Sequence, residues 1–209
     1  MLADAHYLKN NPMQKMHSQW RWVGLAILVL ATVSHHALRA DDTSKQGPHI
    51  VMIIRHAEKP DQTDGDKDPN LSKQGYERAD ALAKVIPEHF PKPDFLIATK
   101  KSKSSARPIE TITPLSKAIH ENIESDYKDD DFAQEAHEVL TDPKYAGKVV
   151  LIAWHHGKIP ELAKALGVKD CPDKWNSKVF DRVWEITYDN GVATWQDLPQ
   201  KALPGDSDK

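Results

Sequence analysis

Arg55-His56-Ala57-Glu58 and His155-His156-Gly157 each follow an unbroken apolar run, Ile50–Ile54 and Val149–Trp154. In open α/β sheets, ligands bind just beyond the carboxyl ends of strands, so two such strands deliver their histidines to one edge. A third segment, Thr99–Pro108, is polar and basic. It carries Lys100, Lys101, Lys103 and Arg107, and it enters a helix at Pro108. Proline is tolerated in a first helical turn. A helix start beside an arginine offers free N–H groups and a planar fork of donors, which together suit a phosphate. The three lysines read as a solvated loop. Arg107 differs, because it stands at the helix entry and faces the strand ends. The chemistry this set could perform is the binding of a phosphate, whose charge the arginine and the free N–H groups meet.

These residues need a rigid frame, and the chain has the pattern of one. Ile50–Ile54, Phe95–Ala98 and Val149–Trp154 are short, continuous and apolar, as expected of strands buried on both faces. Between them run helical periods: Ala79, Leu82, Ala83, Ile86; Ile109, Ile112, Ile119; Phe132, Ala136, Val139, Leu140; and Ile159, Leu162, Ala163, Leu166. Val183–Tyr188 and Val192–Trp195 flank Asp189-Asn190-Gly191, a hairpin signal. Strands alternating with helices predict an α/β fold, a three-layer αβα sandwich with a mostly parallel central sheet. The stretch Glu124–Glu138 holds seven acids and one lysine and reads as a solvated loop running into a helix face.

The 209 residues are the length of one ordinary domain. With 39% hydrophobic and 28% charged residues, the composition is neither that of a polytopic membrane protein nor that of a disordered chain. A single cysteine, Cys171, excludes an internal disulfide framework. The formal charge of -3 gives no reason to expect a nucleic-acid partner. Val23–Val33 is an uncharged apolar run preceded by Lys15 and Arg21 and followed by the small Ala40. That arrangement predicts a signal peptide over residues 1–40 and an exported protein, periplasmic or extracellular. The alternative is an N-terminal anchor facing out of the cytoplasm, and membrane contact follows only if the segment stays uncleaved. Residues 1–40 contain four basic residues and one acid, so removing them leaves a more acidic chain. Such a chain must bind an anion through a local cluster of positive groups. Residues 41–48 read as a linker, 49–198 as the domain, and 199–209 as a polar tail.

Four motifs, in order, resemble the histidine phosphatase superfamily, the phosphoglycerate-mutase-like proteins. Ile54-Arg55-His56-Ala57-Glu58 is similar to the family's strand followed by Arg-His-Gly/Ala-Glu. Leu71-Ser72-Lys73-Gln74-Gly75-Tyr76-Glu77-Arg78-Ala79 resembles its Leu-Ser/Thr-x-x-Gly helix start. Arg107-Pro108-Ile109-Glu110-Thr111 is similar to its Arg-x-x-x-Thr helix, and His156-Gly157 resembles its second histidine motif, with His155 where a glycine is usual.

The resemblance implies a phosphatase that hydrolyses small phosphomonoesters through a phosphohistidine on His56. Arg55, Arg107 and His156 would bind the phosphate oxygens, and water would release the phosphate. It implies no cofactor and no metal, because the arginines supply the positive charge. Glu58 is a candidate proton donor to the leaving group, or a structural partner of a nearby arginine; Asp126–Asp131 supply other acids. His155 is either a packing histidine beside Trp154 or a group that orients the site or touches substrate. Adjacent histidines at a strand end point to opposite sides, which makes a chelating pair unfavourable. Two other readings stay open: phosphoglycerate-mutase-type phosphoryl transfer, and a non-catalytic module that binds a phosphorylated ligand. The sequence sets no oligomeric state.

Overall fold

Strand β1 forms over Ile50–Arg55, where the apolar run leaves no face for water. The structure is a computed structural model and describes residues 47–61 and 68–207. The chain divides into two units, Met1–Asp42 and Thr43–Lys209, and everything described here belongs to the second. The signal segment and its cut at Ala40 lie outside the described residues. Among the described residues, no helix is long and apolar enough to cross a membrane.

Chain order gives β1, then α1 (Lys73–His89), β2 (Phe95–Ala98), α2 (Arg107–Ile119) and β3 (Ile123–Glu124). A 3₁₀ turn at Asp129–Asp131 leads into α3 (Phe132–Thr141); β4 (Val149–Trp154), α4 (Ile159–Ala165), β5 (Arg182–Asp189) and β6 (Val192–Pro199) follow. The six strands form one sheet in the order β3-β2-β4-β1-β5-β6. β1 and β4 run parallel in register from Ile50↔Val149 to Arg55↔Trp154. β2 lies parallel to β4 and β3 parallel to β2. β5 returns antiparallel along β1. The β5–β6 hairpin turns at Asn190 and Gly191, with φ of 49° and 77°. Positive φ at both central positions belongs to the turn type whose twist suits a two-residue hairpin.

Side chains alternate across β1, and the two faces feed two cores. Met52 and Ile54 join Leu96, Leu151 and Ala153 under Leu82 and Ile86 of α1 and Ile112 and Leu115 of α2. Val51 and Ile53 join Val150 and Ile152 under Ala136 and Val139 of α3 and Ile159 and Leu162 of α4. The sheet is therefore the middle of three layers, as the sequence predicts. Each such side chain contributes about 1.5–3 kcal/mol by leaving water, which makes the strand ends a fixed platform.

Two features go beyond the sequence reading. The acidic stretch is not wholly solvated, since Glu135 is buried on the inner face of α3. The closing segment, read as a polar tail, is held down over residues 200–207: the Gln200 amide donates to Asp181 O at 2.8 Å, and Asp206 reaches the side chain of Arg78.

Candidate active site

His56 continues the parallel ladder by one rung. Its backbone N–H donates to Trp154 O at 3.0 Å, which fixes the residue at the carboxyl edge beside β4. Its Nδ1 lies 2.7 Å from Ala57 O. A carbonyl only accepts, so Nδ1 carries the proton and Nε2 keeps its lone pair. Burial, then the charges of His155, Arg55 and Arg107, lower the His56 pKa from 6.5 to about 2, against the pull of the Ala57 carbonyl. The ring is therefore neutral at physiological pH.

The threonine of the Arg107-x-x-x-Thr111 motif has a mechanical role here. Ala57 N–H donates to Thr111 Oγ1 at 2.8 Å, and the Thr111 hydroxyl donates to Arg107 O at 2.7 Å. One hydroxyl thus ties the segment after His56 to the first turn of α2. The glycine of the Leu-Ser-x-x-Gly motif has a steric role. A Cβ at Gly75 would stand 2.3 Å from Glu58 O, closer than any carbon can approach. Glu58 O also accepts from Ser72 N at 2.9 Å, so the start of α1 docks on the chain just past His56.

Three arginines are buried around this edge, and their hydrogen bonding separates them. Arg78 uses every N–H of its guanidinium. It donates to both oxygens of Glu58 at 2.9–3.1 Å, to both oxygens of Asp206 at 2.8 Å, and to Gln200 Oε1 at 3.1 Å. Arg55 donates from Nη1 to Ser177 O at 2.7 Å and Val179 O at 3.0 Å, and its guanidinium carbon lies 3.6 Å from the centre of the Phe180 ring. Arg107 donates to Asp68 O at 3.0 Å and Ser104 O at 3.4 Å. In both Arg55 and Arg107, however, Nε–H is buried with no hydrogen-bond partner among the described residues. Burial lowers the pKa of both, that of Arg55 to about 10, so both stay charged at neutral pH. A buried unpaired donor is costly, and two of them, on arginines whose charges both act on His56, make a site short of an acceptor.

The two histidines after β4 part ways. His155 has both ring nitrogens engaged: Nε2 is 3.0 Å from Ser105 Oγ, and Nδ1 is 3.5 Å from Thr99 Oγ1 and 3.1 Å from Asp129 Oδ1, an oxygen that makes no hydrogen bond among the described residues. Its ring stands edge-on to His56 with centroids 5.2 Å apart. His156 is half-buried, and burial followed by the charge of Arg55 lowers its pKa, so it too is neutral near Arg55. Of the two roles open to Glu58, its contacts match the structural one, because Arg78 occupies both carboxylate oxygens. His56, Arg55, Arg107 and His155 come together at one edge, and His156, the residue after His155, feels the charge of Arg55. Three contributors escaped the sequence reading. Ser177 and Val179 act through backbone carbonyls, which leave no side-chain signature. Phe180 was one aromatic in a loop. Among the described residues, no three histidine, cysteine or carboxylate side chains are grouped to hold a metal ion.

No family model matches the chain, and no curated protein matches it in sequence. Solved structures do match. The mycobacterial glucosyl-3-phosphoglycerate phosphatase in complex with inorganic phosphate superposes with a TM-score of 0.51 at 16% identity, over 71% of this chain and 95% of that one. The α-ribazole phosphatase from Shigella flexneri gives 0.47 at 14% identity, over 74% and 98%. The phosphoglycerate mutase from Bacillus anthracis gives 0.45 at 14% identity, over 74% and 94%. The first of these likenesses shows a shared fold, an α/β sandwich of the kind the motifs imply.

Proposed function

We propose that this chain is a histidine phosphatase acting on a small phosphorylated substrate. One observation carries the reading: a neutral histidine with a free Nε2 sits between two arginines whose buried Nε–H groups lack acceptors. A phosphoryl group supplies those acceptors. The likeness to a phosphatase solved with inorganic phosphate is in keeping with that ligand.

His56 Nε2 attacks phosphorus in line with the leaving oxygen. The P–O bond breaks as the P–N bond forms, and the leaving oxygen takes a proton from solvent water at the mouth of the site. Water then attacks phosphorus, the P–N bond breaks, inorganic phosphate departs, and Nε2 recovers its lone pair. Arg55 and Arg107 bind the equatorial oxygens, where the charge of the transferring group resides. His156, beside Arg55 and with neither ring nitrogen in the contacts that engage His155, is the second histidine of the site. Glu58 positions the chain after His56 through Arg78 and is not the proton donor.

Hydrolysis of p-nitrophenyl phosphate by residues 41–209, with EDTA present, tests the reading. His56→Ala removes the covalent step and costs several orders of magnitude in kcat. His156→Ala costs roughly 10²–10³-fold, the loss typical of one donor to the transition state. Quenching during turnover traps a phosphate on His56 that is labile in acid and stable in base. Near-normal turnover by His56→Ala, or phosphate on a carboxylate, overturns the assignment. Phosphate binding without turnover in the wild type points instead to a binding module.

A further inference from the structure

We propose that His155 is a positioning residue, a clasp that holds the arginine loop and the acidic loop in place against the nucleophile. The proposal rests on the phosphatase reading for its kinetic consequence but not for its structural one.

Three groups of contacts converge on this ring. On one side, Nε2 meets the buried Ser105 Oγ at 3.0 Å, and the same Oγ lies 3.4 Å from the Arg107 backbone N–H that donates to it. His155 is therefore two hydrogen bonds from the backbone of a phosphate-binding arginine. On the other side, Nδ1 has its hydrogen-bond partner in Thr99 Oγ1 at 3.5 Å and lies 3.1 Å from Asp129 Oδ1, in ion-pair range but without hydrogen-bond geometry. The preceding residue grips the same position, because Trp154 Nε1 donates to Asp129 O at 3.3 Å. Two consecutive side chains at the end of β4 thus meet residue 129, Trp154 through a hydrogen bond to its backbone and His155 through a close contact with its carboxylate. Lys158 adds an ion pair to Asp130 at 3.0 Å, and Lys100 N–H donates to Tyr127 O at 2.6 Å. Between the two sides, the ring edge packs on His56 at 5.2 Å with the planes 65° apart. Aromatic pairs favour that edge-on arrangement, which restrains the His56 ring.

A histidine engaged at both nitrogens has none to give to phosphate unless a contact breaks. Its contribution is geometric. The reacting group must meet Nε2 in line, and a displacement of about 1 Å in such a site costs up to 10²-fold.

The two arms can be cut one at a time. The amide nitrogen of Gln sits where Nε2 sits, and that of Asn where Nδ1 sits. His155→Ala, His155→Gln, His155→Asn and Ser105→Ala are compared by amide hydrogen exchange over residues 100–107 and 126–131, and by p-nitrophenyl phosphate kinetics. His155→Ala is expected to speed exchange in both segments and to lower kcat about 10- to 100-fold, with phosphohistidine still trapped on His56. Gln is expected to restore slow exchange only over 100–107, with partial recovery of kcat. Asn is expected to restore it only over 126–131. Ser105→Ala should reproduce the arginine-loop effect alone. Unchanged exchange and unchanged kcat in His155→Ala overturn the clasp. So does loss of the phosphoenzyme in His155→Ala while His156→Ala keeps full turnover, because the two histidines would then have exchanged roles. If the wild type traps no phosphate, the phosphatase reading fails, and the exchange data still decide the clasp.

Discussion

His56 is kept unprotonated by its surroundings, and this leaves a mark on stability. The His56 pKa falls from 6.5 to about 2, chiefly through burial. Below pH 6.5 the unfolded chain takes up a proton that the folded chain refuses, so stability falls as pH drops from about 6.5 toward 2. His156 adds to the same acid limb, because its pKa is lowered too. His56→Asn, which cannot titrate, should flatten the fall in melting temperature across that window while leaving the neutral-pH value little changed. An acid limb as steep as that of the wild type would show that the imidazole is not held neutral. Glu58 shows where sequence stops at this scale. Two residues from a nucleophile, a carboxylate reads equally as acid or as anchor. What decides between them is Arg78, twenty positions on, which fills both of its oxygens.

Elements were legible in proportion to their pattern. The continuous apolar runs marked β1, β2 and β4, and the three-to-four-residue periods marked α1 to α4. Asn190-Gly191 marked the hairpin. The two-residue β3 was not legible, since so short a pairing has no period. Nor was the segment between α4 and β5, whose carbonyls cap Arg55. Along α3 the acids suggested solvent, yet Glu135 points inward. Burial first, then Glu138, Glu124 and Asp126, raise its pKa from 4.5 to about 8, opposed by Lys144. The folded chain therefore keeps a proton that the unfolded chain loses above pH 4.5. Its contribution to stability declines as pH rises from about 4.5 to 8. Glu135→Gln removes that decline. Urea midpoints at pH 5 and pH 9 should show the variant gaining on the wild type only at the higher pH, and equal gains at both would refute the buried-acid account.

On the scale of the whole molecule, one buried hub joins distant parts of the chain. Arg78 on α1 holds Glu58, next to the nucleophile segment, and Asp206, which lies 128 positions downstream. Both of its ion-pair partners are nearly closed to solvent. Without Asp206, Arg78 keeps Glu58, but one N–H of each Nη and the backbone N–H groups of Ala202 and Leu203 lose their acceptor, and a buried donor left unpaired costs about 1–3 kcal/mol. Asp206→Ala should therefore lower the urea midpoint markedly and, through Glu58, reduce kcat as well. A variant as stable and as active as the wild type would show the closing segment to be ornamental. The hub also orders events in time. While the protein is being made, residues 55–58 and Arg78 emerge from the ribosome long before Asp206 does. The pocket can be drafted early, with Glu58 already on Arg78, but the remaining guanidinium donors find their acceptor only when residue 206 has been synthesised. A stalled or clipped chain that lacks it carries Arg55 to Glu58 without the finished site, so a residue made late acts as a check on residues made early.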